Sequence, residues 1–115
     1  MVLCDLNDQA LENGRSIIQK SMARVAKKKH PDSEELQKQL VASVFDNITS
    51  TTDPAEAVAN ADLVVEAIVE NVKIKQNLFG LLDKAAKESC LFASNTSSLS
   101  IAEIAESTSD ARKTR

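Results

Sequence analysis

Short apolar runs alternate with longer amphipathic segments along almost the whole chain. The apolar or β-branched runs predict four β-strands, at residues 1–5, 48–51, 63–67 and 91–94. Between the strands, apolar residues recur every three or four positions, which is the spacing of one helical face. This order predicts a domain in which strands and helices alternate.

Capping residues mark where the first two helices begin. Asn7 and Ser33 precede helices that are predicted to end near residues 29 and 45, and Pro31 separates them. Two helices without an intervening strand predict a helical hairpin at about residues 7–46. A plain strand–helix–strand crossover does not need this second helix, so the hairpin is an insertion.

Later helices also have recognisable starts. Asp53 with Pro54 and Glu56 predicts a short helix, and Ser100 with Glu103 predicts another. The three later helices are predicted at residues 54–60, 72–87 and from Ser100 toward Ser107. No element is predicted for the polar tail, residues 107–115.

The alternation of elements predicts an α/β fold with a doubly wound parallel sheet. The apolar runs are continuous, so we expect strands that are buried on both faces. Cys4 and Cys90 lie in or beside such runs and are predicted to be buried free thiols. Their spacing supports neither a metal site nor a redox site.

Composition narrows the classes of protein. The chain has 115 residues, 43% hydrophobic and 27% charged, with a net charge of −3. No apolar run approaches the roughly 20 residues that a membrane helix needs, and no basic excess suggests nucleic acid. The amino end resembles neither a secretory signal nor a presequence. We therefore expect one domain, or part of one, with no nucleic-acid partner.

Asp5 is an acid at the end of the first predicted strand. In a dinucleotide-binding domain such an acid accepts hydrogen bonds from ribose hydroxyls and favours NAD over NADP. The Gly-rich turn that binds pyrophosphate should lie about 20 residues before this acid, and the two glycines, Gly14 and Gly80, fall in predicted helices. An ordinary turn aspartate is the alternative.

Ser21, Arg24 and Lys28 share one face of the first long helix. Such a face could bind a phosphorylated or nucleotide-bearing ligand across two turns. A solvated basic face remains the alternative.

Polar residues follow two of the predicted strands. Glu70 and Lys75 open the helix after residues 63–67, and either could position a cofactor or be an ordinary exposed residue of that helix. After residues 91–94 comes a cluster that can orient a carbonyl or a nicotinamide, or simply lead into the next helix: Asn95, Thr96, Ser97 and Ser98. The only histidine, His30, is predicted to be an exposed turn residue.

Two blocks are more specific than this pattern: DLVVEAIVENVKIKQNLFGLLDK and FASNTSSLSI. Together with SMARVAKKK they resemble the NAD-binding domain of short-chain L-3-hydroxyacyl-CoA dehydrogenase, and the match runs from about Val2 to about Ala105. The resemblance implies a Rossmann-like sheet with a helical CoA-binding arm. It also implies NAD as cofactor, 3-hydroxyacyl-CoA and 3-ketoacyl-CoA as ligands, fatty acid β-oxidation and the mitochondrial matrix.

The resemblance also assigns roles to individual positions. Asp5, Glu70, Lys75 and Asn95 would contact NAD, and Ser21 and Lys28 would contact coenzyme A. Ser97 would hydrogen-bond the substrate 3-oxygen near the nicotinamide, contacting both substrate and cofactor.

The resemblance further implies a partial domain. The family's first strand and Gly-rich turn would precede Met1, its catalytic histidine would follow Arg115, and its carboxy-terminal domain, which carries dimerisation, would be absent. We therefore expect residues 1–115 to be a fragment of a homodimeric parent enzyme, inactive and poorly stable alone. Two alternatives are an inactive acyl-CoA-binding or regulatory module and a related dehydrogenase that uses hydroxy acids without CoA.

Overall fold

The computed structural model describes residues 1–113, which fall into two compact units. The first unit is Met1–Asp53, and the second begins at Pro54. Each unit contains one two-stranded parallel sheet. Parallel pairing throughout agrees with the predicted α/β fold.

The first unit is a strand, a helical hairpin and a second strand. Strand β1 (Val2–Cys4) pairs in parallel with β2 (Thr49–Thr51), with Val2 opposite Thr49. Between them run α1 (Asp8–Lys29) and α2 (Glu34–Phe45). The predicted helical hairpin is therefore confirmed.

Both predicted caps of the hairpin are present. The side chain of Asn7 accepts a hydrogen bond from the Ala10 N–H at 2.9 Å, and the Ser33 hydroxyl accepts one from the Leu36 N–H at 3.3 Å. These side chains satisfy backbone donors that have no partner within the helix.

The described residues of the second unit form two strands and four helices. These are α3 (Pro54–Val58), β3 (Leu63–Glu66), α4 (Val72–Ala85), β4 (Leu91–Ser94), α5 (Ile101–Ala105) and α6 (Asp110–Lys113). Strands β3 and β4 pair in parallel, with Glu66 opposite Ser94. The core is formed by Val58, Phe79, Leu82 and Ile104, against which Val64 and Phe92 pack.

The prediction that the strands are buried on both faces is wrong for this chain. Leu63 is 57% exposed and Val65 is 65% exposed, whereas Val64 and Phe92, on the opposite face, pack against the core. Side chains alternate between the two faces of a strand, and in the described residues only one face of this sheet packs against a core. The prediction for Cys90 is confirmed, but Cys4 is exposed.

Helix α6 lies in the tail for which no element was predicted. Its Arg112 is buried, donates to Asp83 Oδ1 at 2.8 Å and lies 4.4 Å from the centre of the Phe92 ring. These partners are distant in the sequence, so local pattern could not reveal this helix. The last two residues of that tail, 114 and 115, lie outside the described part. Among residues 1–113, no helix is long and apolar enough to cross a membrane.

Candidate functional site

The loops that follow β3 and β4 begin side by side. Glu66 and Ser94 are register partners at the ends of these strands. One further backbone bond, from the Asn95 N–H to the Glu66 carbonyl at 2.7 Å, extends the pairing past β4. Residues of both loops are thereby brought together at the carboxyl edge of the sheet, where open parallel sheets bind ligands.

Glu70 joins the two loops. Its Oε1 accepts a hydrogen bond from the Thr96 hydroxyl at 2.6 Å and another from the Ser97 N–H at 3.1 Å. These two hydrogen bonds, with further help from Lys75, lower the pKa of Glu70 to about 2. Its side chain is still 39% exposed, so an ionised carboxylate faces solvent at this edge.

A buried ion pair lies beneath Glu70. The Lys75 ammonium is 2.7 Å from Glu66 Oε1 and 3.3 Å from Glu70 Oε2, and the Lys75 side chain has no exposed surface. Burial alone would lower the pKa of Lys75, but its hydrogen bonds to the two carboxylates raise it. Burial would likewise raise the pKa of Glu66, but hydrogen bonds from Lys75 and Ser94 bring it below its ordinary value. Both groups are therefore charged at neutral pH.

Helix α4 directs Lys75 toward this edge of the sheet. Asn71 caps the helix by accepting a hydrogen bond from the Ile74 N–H at 3.1 Å. Helical side chains lean toward the amino end, so Lys75, one turn into α4, points back at the β3–α4 loop. A cation near a helix amino end is disfavoured by the helix dipole, and the carboxylates of Glu66 and Glu70 offset that effect.

Three of the predicted site residues in this unit therefore form one cluster: Glu70, Lys75 and Ser97. Asn95 is exposed beside them and takes part through its backbone. The Lys75 side chain has no exposed surface and contacts Glu66 and Glu70. Its predicted contact with NAD stays a prediction.

Two residues of the network have no assigned role in the sequence analysis: Glu66 and Ser94. Ser94 donates its hydroxyl proton to Glu66 Oε2 at 2.5 Å, and the Ile68 N–H donates to Glu66 Oε1 at 2.6 Å. One signal was available in the sequence, since an acid that ends an apolar strand, followed by a lysine in the next helix, suggests a buried pair. Spacing alone could not show which carboxylate that lysine approaches more closely.

The other predicted site residues lie in the first unit. Asp5 follows β1 directly, is exposed, and accepts a hydrogen bond from the Leu6 N–H at 2.7 Å. On α1, Ser21 is half-buried and Lys28 is exposed.

A groove of about 450 Å³ runs between α1 and α2. Ser21 and Lys28 do not line it. Ser21 lies two positions from the lining residue Ala23, and Lys28 lies two positions from the lining residue Ala26. Two positions correspond to a rotation of about 200° around a helix. The predicted basic face of α1 is therefore directed away from this groove.

Parallel strands with polar loops at their carboxyl edge are typical of α/β domains that bind nucleotide cofactors. The family model described as 3-hydroxyacyl-CoA dehydrogenase, NAD binding domain, matches residues 1–115. The chain therefore belongs to this family, which confirms the resemblance and identifies NAD as the cofactor of the family domain.

Individual relatives agree with the family. A probable 3-hydroxyacyl-CoA dehydrogenase from Caenorhabditis elegans is 47% identical over 104 residues, covering 90% of this chain and 34% of that protein. Human mitochondrial hydroxyacyl-coenzyme A dehydrogenase is 44% identical over 108 residues, covering 94% of this chain and 34% of that protein. The chain thus spans about a third of the length of these relatives.

The fold agrees with solved structures as well. The (S)-3-hydroxybutyryl-CoA dehydrogenase from Ralstonia eutropha matches with a TM-score of 0.80 and 31% identity, over 97% of this chain and 38% of that one. This likeness confirms the Rossmann-like fold class.

Proposed function

We propose that this chain is part of the NAD-binding domain of an NAD-dependent L-3-hydroxyacyl-CoA dehydrogenase of fatty acid β-oxidation. In the proposed reaction, bound NAD accepts a hydride as a 3-hydroxyacyl-CoA becomes a 3-ketoacyl-CoA. The observation that carries the proposal is the cluster at the ends of β3 and β4, where Glu70 is ionised and hydrogen-bonded to the loop that bears Ser97.

The exposed groups of the second unit fit a cofactor with ribose hydroxyls. The Glu70 carboxylate can accept hydrogen bonds from such hydroxyls, and the Asn95 side chain offers both donors and acceptors to a nicotinamide. The exposed Ser97 hydroxyl can donate to the substrate 3-oxygen. In this proposal Lys75 supports NAD binding by holding Glu70.

The first unit supplies the remaining proposed contacts. The exposed carboxylate of Asp5 suits the hydroxyls of the adenosine ribose and repels a 2′-phosphate, which favours NAD over NADP. Ser21 and Lys28 on α1 suit the phosphates of coenzyme A. The hairpin of α1 and α2 is accordingly proposed as a CoA-binding arm.

Proton transfer is not assigned to the described residues. The only histidine, His30, lies in the turn between α1 and α2, and the Ser97 hydroxyl is too weak a base at neutral pH. We therefore expect no acetoacetyl-CoA-dependent NADH oxidation by residues 1–115 alone. Loss of NADH absorbance above background would contradict this expectation.

We further propose a mitochondrial location, in the matrix, and a homodimeric parent enzyme. The names of the pig and human relatives include the word mitochondrial, which supports the compartment. The dimer and the matrix rest on the family resemblance.

The cofactor assignment can be tested by NMR titration of the chain with NAD. We expect shifts of the backbone amides of residues 67–72 and 95–98 with a Kd of about 1 mM, and a loss of these shifts in Glu70→Gln. Glu103→Gln is the matched control, because this exposed acid of α5 lies outside the cluster.

Unchanged spectra at about ten times that Kd would contradict NAD binding by this chain. Binding of coenzyme A without any response to NAD would instead favour the acyl-CoA-binding module.

A further inference from the structure

The carboxylate of Glu66 connects four segments of the second unit. Its Oε1 accepts from the Lys75 ammonium on α4 and from the Ile68 N–H in the β3–α4 loop. Its Oε2 accepts from the Ser94 hydroxyl at the end of β4. Glu66 itself is the last residue of β3 and is 3% exposed. It therefore lies where β3, its loop, β4 and α4 meet.

The protein itself provides all the partners of the Lys75 ammonium. This group contacts Glu66 Oε1 at 2.7 Å, Glu70 Oε2 at 3.3 Å and the Ile68 carbonyl at 3.4 Å. An ammonium has three donor hydrogens, and here three acceptors surround it. The shortest of these contacts is to Glu66, which makes Glu66 the principal counter-ion of Lys75.

Loss of the Glu66 charge would leave a buried cation beside a single, partly exposed carboxylate. With its nearer counter-ion gone, the buried ammonium either gives up its proton or moves toward water. In both cases Glu70 would lose the partner that holds its Oε2, and its contacts with Thr96 and Ser97 would loosen.

We propose that Glu66 is a positioning residue: through Lys75 it keeps the Glu70 carboxylate turned toward Thr96 and Ser97, so that the two site loops hold one arrangement. It would not touch the cofactor or the substrate. Its importance for cofactor binding rests on the proposed function, whereas its effect on Glu70 does not.

The test is a double-mutant cycle that follows the titration of Glu70 by carboxyl-detected NMR. Glu66→Gln preserves the shape of the side chain and removes its charge. We expect the midpoint of Glu70 to rise by about one pH unit, because its hydrogen bonds weaken. Simple electrostatics predicts the opposite, since removing a nearby negative charge lowers the midpoint. An unchanged or lower midpoint would overturn the proposal.

The second pair of the cycle asks whether Glu66 acts through Lys75. Lys75→Met alone should raise the midpoint of Glu70, and adding Glu66→Gln to it should raise that midpoint no further. A further rise in the double variant would show that Glu66 acts by another route and would overturn the proposal. The double variant has no orphaned buried charge, so its Glu70 midpoint can be measured even where a single variant is less stable.

Two additional measurements separate positioning from general destabilisation. The Ser97 amide should lose its low-pH titration shift in Glu66→Gln, while the amides of the core residues Phe79 and Leu82 keep their chemical shifts. Lys87→Met is the matched control, because Lys87 forms an exposed pair with Asp62 in the same unit. A core that shifts as much as Ser97 would assign Glu66 a merely structural role.

Cofactor binding is measured separately on the same variants. Where the unsubstituted chain binds NAD, Glu66→Gln should weaken binding by about tenfold, and equal affinity would overturn the link to the cofactor. If the unsubstituted chain does not bind NAD, the proposed function fails, and the Glu70 midpoint still decides the positioning role.

Discussion

Lys75 and Glu66 form an ion pair of 2.7 Å in which neither side chain has any exposed surface. A pair this deeply buried is costly to break, because removing Glu66 leaves the Lys75 ammonium with only the partly exposed carboxylate of Glu70. The pair lies directly beneath Glu70, the acid that links the two site loops. Stability and site geometry are therefore connected in the second unit.

Removing Glu66 alone should destabilise the chain more than replacing both Glu66 and Lys75. We expect Glu66→Ala to lower the free energy of unfolding by about 3 kcal/mol, because Lys75 loses its nearer counter-ion. The double variant Glu66→Leu with Lys75→Met should recover most of that loss. Urea unfolding followed by circular dichroism measures both, with Lys87→Ala as a surface control that should change stability by less than about 1 kcal/mol. Equal stability of the single and double variants would contradict this expectation.

Low pH should lower the stability of the folded chain, because Glu70 becomes protonated. Its pKa falls from an ordinary 4.5 to about 2 in the folded chain, so its stabilising effect is complete above about pH 4.5 and is lost as the pH falls toward 2. Thermal unfolding midpoints measured from pH 5 to pH 2 should fall less steeply in Glu70→Gln than in the unsubstituted chain. Glu103→Gln replaces an exposed acid of α5 and should retain the full pH dependence of the thermal midpoint. Identical pH dependence in the unsubstituted chain and both variants would contradict the role of Glu70.

The proposed binding of coenzyme A by the hairpin can be tested by charge reversal. Lys28→Glu should weaken coenzyme A binding by about tenfold, because an acid would then face the ligand phosphates. Lys29→Glu is the matched control, since it makes the same charge change one position along α1, about 100° around the helix. Isothermal titration calorimetry with coenzyme A measures both variants. Equal losses of coenzyme A affinity in the two variants would indicate a general charge effect and would contradict a contact at Lys28.

Arg112 should hold α6 in place. Its guanidinium binds Asp83, stacks over Phe92 and donates to the carbonyl of Cys90. Arg112→Ala should lower the free energy of unfolding by about 2 kcal/mol, because buried acceptors lose a charged donor. Hydrogen exchange of the α6 amides should accelerate in this variant. Lys113→Ala, which removes an exposed pair with Asp110, should have a much smaller effect; similar acceleration in both variants would contradict the role of Arg112.

Local sequence was sufficient to predict most helices and strands of this fold. The predicted caps Asn7, Ser33 and Ser100 each accept the expected backbone hydrogen bond, and the four predicted strands are present to within a residue or so. Capping and strand formation depend on neighbouring residues, so a linear pattern carries the information. Helix α6 was not predicted, because its partners Asp83 on α4 and Cys90, directly before β4, lie more than 20 residues from Arg112.

The sequence by itself determined the family, the order of strands and helices, and the residue types at the ends of β3 and β4. Only the tertiary structure decided that Lys75 is buried, that Glu66 is its nearer counter-ion, and that Glu70 binds the loop bearing Ser97. The reason is physical: the parallel register of β3 and β4 places groups that are 26 to 28 positions apart within hydrogen-bonding distance. Burial then determines which of those groups can reach a ligand and which can act only through a neighbour.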